Sequence, residues 1–409
     1  MRAYERLLKY AVIDTQSDAG TGTHPSTAKQ LNLAKLLLAE LLEIGAAAAK
    51  LDEHGYVYAT IPASKGAENK PVLALLAHMD TAPDASGTNV KPHIVQAYDG
   101  GDIVLNAEKG IVTKVSDFPD LKKYIGKDII VTDGTTLLGA DDKAGVAEIM
   151  TLAETLLSDD GKDIPHPEIR IVFTPDEEIG EGVATIDMNE VNAAYGYTVD
   201  GGEIGELCYE NFNAASARIV LHGVCVHPGA AFGIMRNASL LAMEYHAMLP
   251  AFENPATTVG RMGFFHLTQM EGCMEEASLN YILRDHDAAR LEARKELILK
   301  AAEYLNLKYG AGTAIAEIKD SYRNMYEQIV PAHTNLITSA REAMQELGIT
   351  PIEEPIRGGT DGATLSYMGL PCPNLGTGGH AFHGVHEFIP IQSMDKTVEM
   401  LKALVRRFA

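Results

Sequence analysis

Several short groups of acidic and histidine residues follow apolar stretches of this 409-residue chain. His78 and Asp80 come directly after the apolar run at residues 71–77. At the two-residue period of a strand, their side chains point to the same face, which places an imidazole beside a carboxylate able to orient it. Alone, the pair could equally be an ordinary histidine beside a turn aspartate. Its value as a candidate metal ligand therefore depends on what accompanies it.

Two further acidic groups accompany it. Asp141 and Asp142 lie in LGADDKAG, ahead of a predicted helix, where acids also serve as an N-cap and as favourable first-turn charges. The sequence TPDEEIGEG contains Asp176, Glu177 and Glu178 in succession. Three adjacent acids repel one another unless water or a cation surrounds them. These groups are candidate carboxylate ligands.

The remaining candidates lie later in the chain. Asp200 ends another predicted strand, and GGHAFHGVHE contains His380, His383 and His386. The carboxyl ends of strands are where open α/β sheets place their sites. Because several predicted strands end in His, Asp or Glu, we expect these side chains to form one site.

The elements that must position these residues have clear sequence signals. Residues 56–61, 71–77, 169–173 and 195–199 read as buried strands, and residues 143–157 as a helix between two of them. The segment 31–49 reads as an amphipathic helix, with Thr27 and Gln30 at capping-box spacing and Gly45 as a stop. Alternating strands and helices predict an α/β sheet covered by helices.

A second pattern begins near residue 210. Strands at residues 214–221, 263–270, 277–284 and 313–318 alternate with helices at 237–249 and 288–307, giving the order βαββαβ of a small α+β domain. After it, α/β character returns, with a helix at 334–347, a short strand at 373–375 and a helix at 394–408. We therefore predict a discontinuous catalytic domain, residues 1–209 and 322–409, interrupted by a lid and dimerisation domain at residues 210–321.

Composition excludes several functional classes. The chain has 34 basic and 56 acidic residues, a net charge of −22, which opposes binding to nucleic acid or anionic membranes. Its four cysteines form no CxxC pair, as expected for free thiols in a reducing cytoplasm. The N-terminus lacks the apolar stretch of a signal peptide, so we expect a cytoplasmic protein. There is also no HExxH motif, no GxSxG motif and no P-loop.

Seven segments together resemble one superfamily. They are LLAHMDTAPD, TLLGADDKAG, FTPDEEIGEG, YTVDGG, VHPGAA, PIRGGTDGATLS and HGVHEF. In unchanged order along almost the whole chain, they are similar to the di-zinc aminopeptidase, aminoacylase and glutamate-carboxypeptidase superfamily, and within it to tripeptide aminopeptidases. The resemblance implies a mixed-sheet α/β/α catalytic domain with an inserted βαββαβ lid.

The resemblance also implies a role for each site residue. Asp141 would bridge two Zn²⁺ ions, with His78 and Asp200 completing one site and Glu178 and His383 the other. Asp80 would orient His78, and Glu177 would act as general base. His383 is preferred to its neighbours because Glu387 follows it by four residues, as in the family, which also has a cis peptide after the bridging aspartate. His and carboxylate ligands without a thiolate suit zinc, and also cobalt or manganese.

Substrate contacts are implied in the second domain and near the C-terminus. His227 would stabilise the oxyanion, within its subunit or across a dimer interface. Asn280 and Arg284, four residues apart on one strand, and Arg357 are candidates for binding a peptide carboxylate, although an arginine paired with a structural acid is the alternative for each.

The expected activity is removal of the N-terminal residue from tripeptides, with small peptides as substrates and a homodimer formed through the lid. The alternatives are a related di-zinc dipeptidase, an N-acyl amino acid amidohydrolase, and a non-catalytic metal- or peptide-binding homologue.

Overall fold

The computed structural model describes all residues from 1 to 409. The helices are α1 (Ala3–Ala11), α2 (Gln30–Glu43), α3 (Ala140–Leu157), α4 (Met188–Val191), α5 (Ala238–Ala247), α6 (Ala288–Tyr309), α7 (Tyr326–Ile329), α8 (Thr334–Glu346), α9 (Asp361–Tyr367) and α10 (Ile391–Arg406). The strands are β1 (Ala47–Leu51), β2 (Val57–Ile61), β3 (Leu73–His78), β4 (His93–Val95), β5 (Ile103–Asn106), β6 (Ile111–Thr113), β7 (Ile129–Val131), β8 (Ile169–Thr174), β9 (Tyr195–Val199), β10 (Leu207–Cys208), β11 (Asn213–His222), β12 (Phe264–Gly272), β13 (Glu276–Asp285), β14 (Ala314–Asp320), β15 (Asn374–Leu375) and β16 (Ile389–Pro390).

The chain divides into two compact units. The first comprises Met1–Tyr209, Glu327–Glu353 and Thr360–Ala409, and the second comprises Glu210–Tyr326 and Glu354–Gly359. The second unit therefore extends past the predicted boundary at residue 321 and includes a later segment of the chain. Arg357 explains why this segment belongs to the second unit, because its guanidinium group lies over the rings of Phe212 and Phe264.

The first unit is built on a mixed seven-stranded sheet with the order β1-β2-β8-β3-β9-β15-β10. The four strands β8, β3, β9 and β15 run parallel, while β2 and β10 are antiparallel to their neighbours β8 and β15. The edge strand β1 is antiparallel to β2. All six residues of β3 are buried, which is typical of a parallel strand covered on both faces. The predicted α/β fold is confirmed, and the carboxyl ends of β3, β8 and β9 lie next to one another.

The first unit also corrects part of the prediction around residue 45. The helix predicted from residue 31 ends at Glu43, and Ala47–Leu51 forms the edge strand β1. Its sequence, AAAKL, has no β-branched residue, so intrinsic preference did not indicate a strand; pairing with β2 decides the conformation. The predicted capping box is wrong, because Thr27 Oγ1 donates to the Gln16 carbonyl at 2.7 Å and caps no helical N–H.

An insert at residues 93–131 adds two small sheets to the first unit. One has the order β16-β7-β4, and the other is the β5-β6 hairpin. The sequence analysis did not predict the four strands of the insert, β4 to β7, which are only three or four residues long. Apolar side chains of the insert, including Tyr98, Leu121 and Tyr124, form a core of their own with Phe388.

The second unit has the predicted order βαββαβ, formed by β11, α5, β12, β13, α6 and β14. Its antiparallel sheet has the order β12-β13-β11-β14. Burial alternates along β13, where Leu279, Tyr281 and Leu283 join the core. Asn280 and Arg284 consequently share the other face of the sheet, as the strand period predicts.

Two properties concern the whole chain. None of the four cysteines forms a disulfide bond: Cys208 and Cys372 are buried, while Cys225 and Cys273 are exposed. None of the helices combines the length and apolar composition needed to cross a bilayer.

Candidate metal centre

The predicted ligands come from the ends of adjacent elements. His78 is the last residue of β3, Asp200 follows β9, and Asp141 lies in the first turn of α3. Glu178 lies in a short 3-10 turn that follows β8, and His383 lies in the loop between β15 and β16. The parallel strands thus bring together residues separated by up to 305 positions, 383 − 78.

Asp141 lies between the two histidines. Its Oδ1 is 3.1 Å from His78 Nε2, and its Oδ2 is 3.5 Å from His383 Nε2. His78 Nε2 is also 3.5 Å from Asp200 Oδ1, and His383 Nε2 is 3.0 Å from Glu178 Oε2. Two groups of donor atoms therefore share the Asp141 carboxylate, each with one imidazole and one further carboxylate.

The donor set fits divalent cations. Ligand atoms of His78, Asp141 and Glu178 lie within 4.8 Å of one another, as do those of His78, Asp142 and Asp200. Glu178 Oε1 is buried and has no hydrogen-bond partner. A buried carboxylate oxygen without a partner carries a desolvation cost that a cation would offset. Imidazole and carboxylate donors suit zinc, cobalt and manganese.

The electrostatics of the centre reflect an excess of negative charge. Burial opposes protonation of His78, but Asp200 and Asp141 outweigh it and hold the pKa of His78 well above its usual value. Hydrogen bonds to Asp141 and Glu178 raise the pKa of His383 to about 11. Burial alone would raise the pKa of Asp141, but the two imidazoles lower it. Divalent cations bound among these carboxylates would supply the positive charge that protonated histidines otherwise provide.

Asp142 has a different environment from Asp141, although the peptide bond between them is cis. Its Oδ2 accepts the His78 N–H and its Oδ1 accepts the Gly145 N–H, each at 3.1 Å. A Cβ on Gly145 would lie only 1.9 Å from the Val199 carbonyl oxygen, so this glycine allows α3 to approach β9. Asp142 thereby connects α3 to the end of β3.

Asp80 connects one histidine to the loop carrying two glutamates. It is wholly buried, and its Oδ1 lies 3.3 Å from His78 Nδ1. The same carboxylate accepts the backbone N–H groups of Glu177, at 3.0 Å, and Glu178, at 3.2 Å. Asp80 can therefore orient His78 and fix the position of the 3-10 turn at the same time.

The sequence analysis missed one carboxylate beside His383, that of Asp84, and used a second residue, Glu387, only for its spacing from that histidine. Asp84 Oδ2 lies 3.5 Å from His383 Nδ1, although the Asp84 side chain is 63% exposed. Glu387 is buried and accepts three backbone N–H groups, those of Leu138, Gly139 and Asp141, at 2.7 to 3.1 Å. Burial raises the pKa of Glu387 to about 7. In the motif HGVHEF, the only signal for Glu387 was its spacing from His383. That spacing did not indicate that Glu387 accepts backbone N–H groups.

Asp176 anchors the loop that carries Glu177. It is buried, with a left-handed φ of 59°, and accepts the Ser26 N–H at 2.7 Å and the Gln30 side-chain amide at 2.6 Å. Its carboxylate is also 3.0 Å from His24 Nδ1. Asp176, the first of the three adjacent acids, therefore has its charge compensated by donors of the protein itself. Burial, together with neighbouring carboxylates such as Asp200, raises the pKa of Glu177.

Comparison with known proteins shows the family of this chain. The sequence pattern of peptidase family M20/M25/M40 matches residues 133–407. This chain belongs to that family. Family M20 peptidases are hydrolases, and the match includes four of the five predicted metal ligands, all except His78.

Individual relatives are similar over their full length. The chain is 51% identical over 408 residues to peptidase T of Halothermothrix orenii, covering 100% of this chain and 99% of that protein. The structure of aminopeptidase PepT from Bacillus cereus has a TM-score of 0.78 at 23% identity, covering 100% of this chain and 98% of that one. A Bacillus subtilis protein described as a dinuclear metal-binding M20 peptidase has a TM-score of 0.65 at 14% identity, covering 99% of this chain and 96% of that one.

The remaining predicted residues of this M20 chain lie in the second unit. His227 is exposed, and its Nδ1 accepts the Gly229 N–H at 3.1 Å, which leaves Nε2 as the nitrogen able to donate. Asn280 donates to Gln269 Oε1 at 2.9 Å. Each of these side chains therefore has one local partner and further hydrogen-bonding capacity.

The two arginines have more extensive local contacts. Arg284 donates to the backbone carbonyls of Ala215 and Leu283 and lies over the Tyr322 ring. Arg357 donates to the carbonyls of Gly260 and Met262 and to Thr258 Oγ1, at 2.5 to 3.0 Å. Neither has an acidic partner, so the ion pair considered as the structural alternative is not formed.

Proposed function

We propose that this chain is a metallo-aminopeptidase that removes the N-terminal residue from tripeptides. The observation that carries the proposal is the position of Asp141, whose two oxygens face the imidazoles of His78 and His383. This arrangement suits two divalent cations sharing one carboxylate. The tripeptide substrate is supported by the similarity to peptidase T along the whole chain.

Five residues would hold the cations, which we propose to be two Zn²⁺ ions per subunit. His78 and Asp200 would complete one site, Glu178 and His383 the other, and Asp141 would contribute to both. Cobalt or manganese could replace zinc, because the donors are imidazoles and carboxylates. When bound, the ions would lower the pKa of a water and polarise the carbonyl of the scissile bond.

Glu177 is the proposed general base. It is adjacent to Glu178, and the Asp80 carboxylate holds both of their N–H groups. From this turn its carboxylate would take a proton from the attacking water and transfer it to the nitrogen of the leaving peptide. Because burial raises the pKa of Glu177, its carboxylate binds a proton more readily than an exposed one.

Four residues of the second unit belong to the proposed substrate site. His227 would donate a hydrogen bond from Nε2 to the developing oxyanion. Asn280, Arg284 and Arg357 would recognise the peptide carboxylate with the N–H groups that their local contacts leave available. The proposal also includes a homodimer formed through the second unit and a location in the cytoplasm.

The decisive experiment compares three substrates before and after chelation: a free tripeptide, its N-acetylated form and a dipeptide. We expect hydrolysis of the free tripeptide alone, loss of activity on chelation, and recovery on adding Zn²⁺. Equal cleavage of the acetylated peptide would falsify the aminopeptidase assignment and indicate an N-acyl amino acid amidohydrolase.

The other outcomes separate the remaining alternatives. Preference for the dipeptide would indicate a dipeptidase. A protein that binds metal but cleaves none of the three substrates would be a non-catalytic homologue. Activity that survives complete removal of the metal would contradict the metal mechanism.

A further inference from the structure

The loop that carries His383 is closed into a hairpin, residues 380–388, which we call the histidine hairpin. The backbones of His380 and Phe388 exchange two hydrogen bonds, of 2.9 and 3.1 Å. His383 lies between these closing residues and faces the metal centre. The other two histidines of the GGHAFHGVHE motif, His380 and His386, take no part in the mechanism proposed above.

The backbone of the histidine hairpin has an unfavourable conformation close to the ligand. Ala381 and His383 have φ angles of 55° and 62°, in the left-handed region that side chains other than glycine rarely adopt. Such residues persist only where the surrounding structure determines their conformation. Contacts on both sides of the hairpin hold this conformation.

On one side, His380 is fixed by Tyr124 of the insert at residues 93–131. The Tyr124 hydroxyl lies 2.6 Å from His380 Nε2. The His380 ring stacks on Phe388 with centroids 5.0 Å apart, and the whole residue is only 9% exposed. Burial lowers the pKa of His380 and raises that of Tyr124, so a neutral imidazole and a neutral phenol share this hydrogen bond.

On the other side, His386 is fixed by the same insert. Its Nδ1 lies 3.0 Å from the hydroxyl of Thr113, a buried residue at the end of β6. The His386 ring also lies against Phe118, with centroids 5.1 Å apart. Two residues that flank His383, each three positions away, thus contact side chains of one small substructure.

We propose that Tyr124 and Thr113 are positioning residues for His383, and that the insert thereby sets the affinity of the metal site that His383 completes. The inference rests on the metal centre proposed above. Neither hydroxyl touches the ligand; each fixes a histidine that holds the hairpin, so its loss would allow the His383 imidazole to move away from Asp141 and Glu178. The insert would thus act on the metal site through the two flanking histidines of the motif.

The test uses a matched pair of variants. Tyr124→Phe removes the hydroxyl and keeps the ring in the apolar core of the insert. Tyr98→Phe makes the same change in the same core, but its hydroxyl donates to the Gly101 carbonyl within the insert, at 2.5 Å. Each protein is stripped of metal and titrated with Zn²⁺ against a chromophoric chelator, and with Co²⁺ while its visible absorption bands are recorded.

We expect wild type and Tyr98→Phe to bind two ions alike. Tyr124→Phe should bind the ion of the His383 site about tenfold less tightly, with an altered Co²⁺ spectrum. This is the lower end of the range, about 10- to 100-fold in affinity, that direct partners of metal-binding histidines contribute, because Tyr124 acts on His383 only through His380. Thr113→Val should also lower the affinity of this site for the ion. Thr113→Ser, which retains a hydroxyl, should keep most of the wild-type affinity.

Two results would overturn the inference. One is wild-type binding of both ions by Tyr124→Phe; the other is an equal loss in Tyr98→Phe, which would indicate general loosening of the insert. A wild-type protein that binds fewer than two ions would instead contradict the metal centre itself, so failure of the proposed function is distinguishable from failure of this inference.

Discussion

Asp80 Oδ1 lies 3.3 Å from His78 Nδ1, and the carboxylate that makes this contact also accepts the N–H groups of Glu177 and Glu178. One buried side chain therefore supports a proposed ligand and the turn that carries the proposed base. This carboxylate is not among the proposed metal ligands.

Asp80→Ala should weaken metal binding and catalysis together. His78 would lose the carboxylate that orients its ring, and two backbone N–H groups would lose their acceptor. We expect metal affinity to fall by about 10- to 100-fold, as for other carboxylates that orient a ligand histidine. Competitive Zn²⁺ titration measures the effect, and unchanged affinity would show that the contact is dispensable.

Glu177 and Glu178 should differ sharply despite being adjacent. Glu177→Ala should lower kcat by at least about 100-fold, the usual contribution of a general base, while bound metal stays nearly unchanged. Glu178→Ala should lose metal, because its carboxylate faces His383. Metal content by mass spectrometry, measured beside kcat, tests both. Metal loss in the first variant alone would mean that the two roles are exchanged.

Gln30→Leu should destabilise the protein through Asp176. The side-chain amide of Gln30 donates to this buried carboxylate at 2.6 Å, and leaving a buried acceptor short of a donor costs about 1 to 3 kcal/mol. Urea unfolding gives the free energy. The matched control is Gln345→Leu on the exposed side of α8, where we expect a change within about 0.5 kcal/mol. Equal effects of the two substitutions would contradict the prediction.

Glu148 should make stability depend on pH. It is wholly buried on α3, neither carboxyl oxygen has a hydrogen-bond partner, and burial raises its pKa well above the usual 4.5. Above pH 4.5 the unfolded chain releases this proton while the folded protein keeps it. The folded state then binds more protons, so stability falls as pH rises, by up to about 1.4 kcal/mol per pH unit until the folded group also ionises.

Glu148→Gln cannot ionise and should remove this contribution. The free energy of unfolding of wild type, minus that of Glu148→Gln, should therefore decrease between pH 5 and pH 8. Taking the difference cancels the effects of other titrating groups. Glu43→Gln, at an exposed position of α2, is the control and should give a nearly constant difference. A constant difference for Glu148→Gln would refute the prediction.

The sequence predicted those parts of the structure that have a local signal. The continuous apolar run before His78 predicted β3. The two-residue period of a strand predicted β13, with Asn280 and Arg284 on one face. Four of the proposed ligands were recognisable because each lies at the end of a strand or the start of a helix, and His383 because of its spacing from Glu387 in a motif that resembles the family's.

The missed features depend on contacts between distant segments. The strands of the insert are too short to show a period, and β1 forms from alanines because β2 is beside it. Glu387 accepts hydrogen bonds from N–H groups nearly 250 residues earlier in the chain. Arg357 packs in the second unit over the rings of Phe212 and Phe264. A short stretch of sequence has no pattern that would predict such contacts between distant segments.

The division of the first unit into three segments has a consequence for the order in which the centre can assemble. His78, Asp141 and Asp200 all precede the second unit, whereas His383 follows it. During synthesis from the N-terminus, the ligands proposed for one ion are therefore made before Glu210–Tyr326, and the other site is completed only after the histidine hairpin has been translated. A nascent chain halted within the second unit could bind at most the first ion.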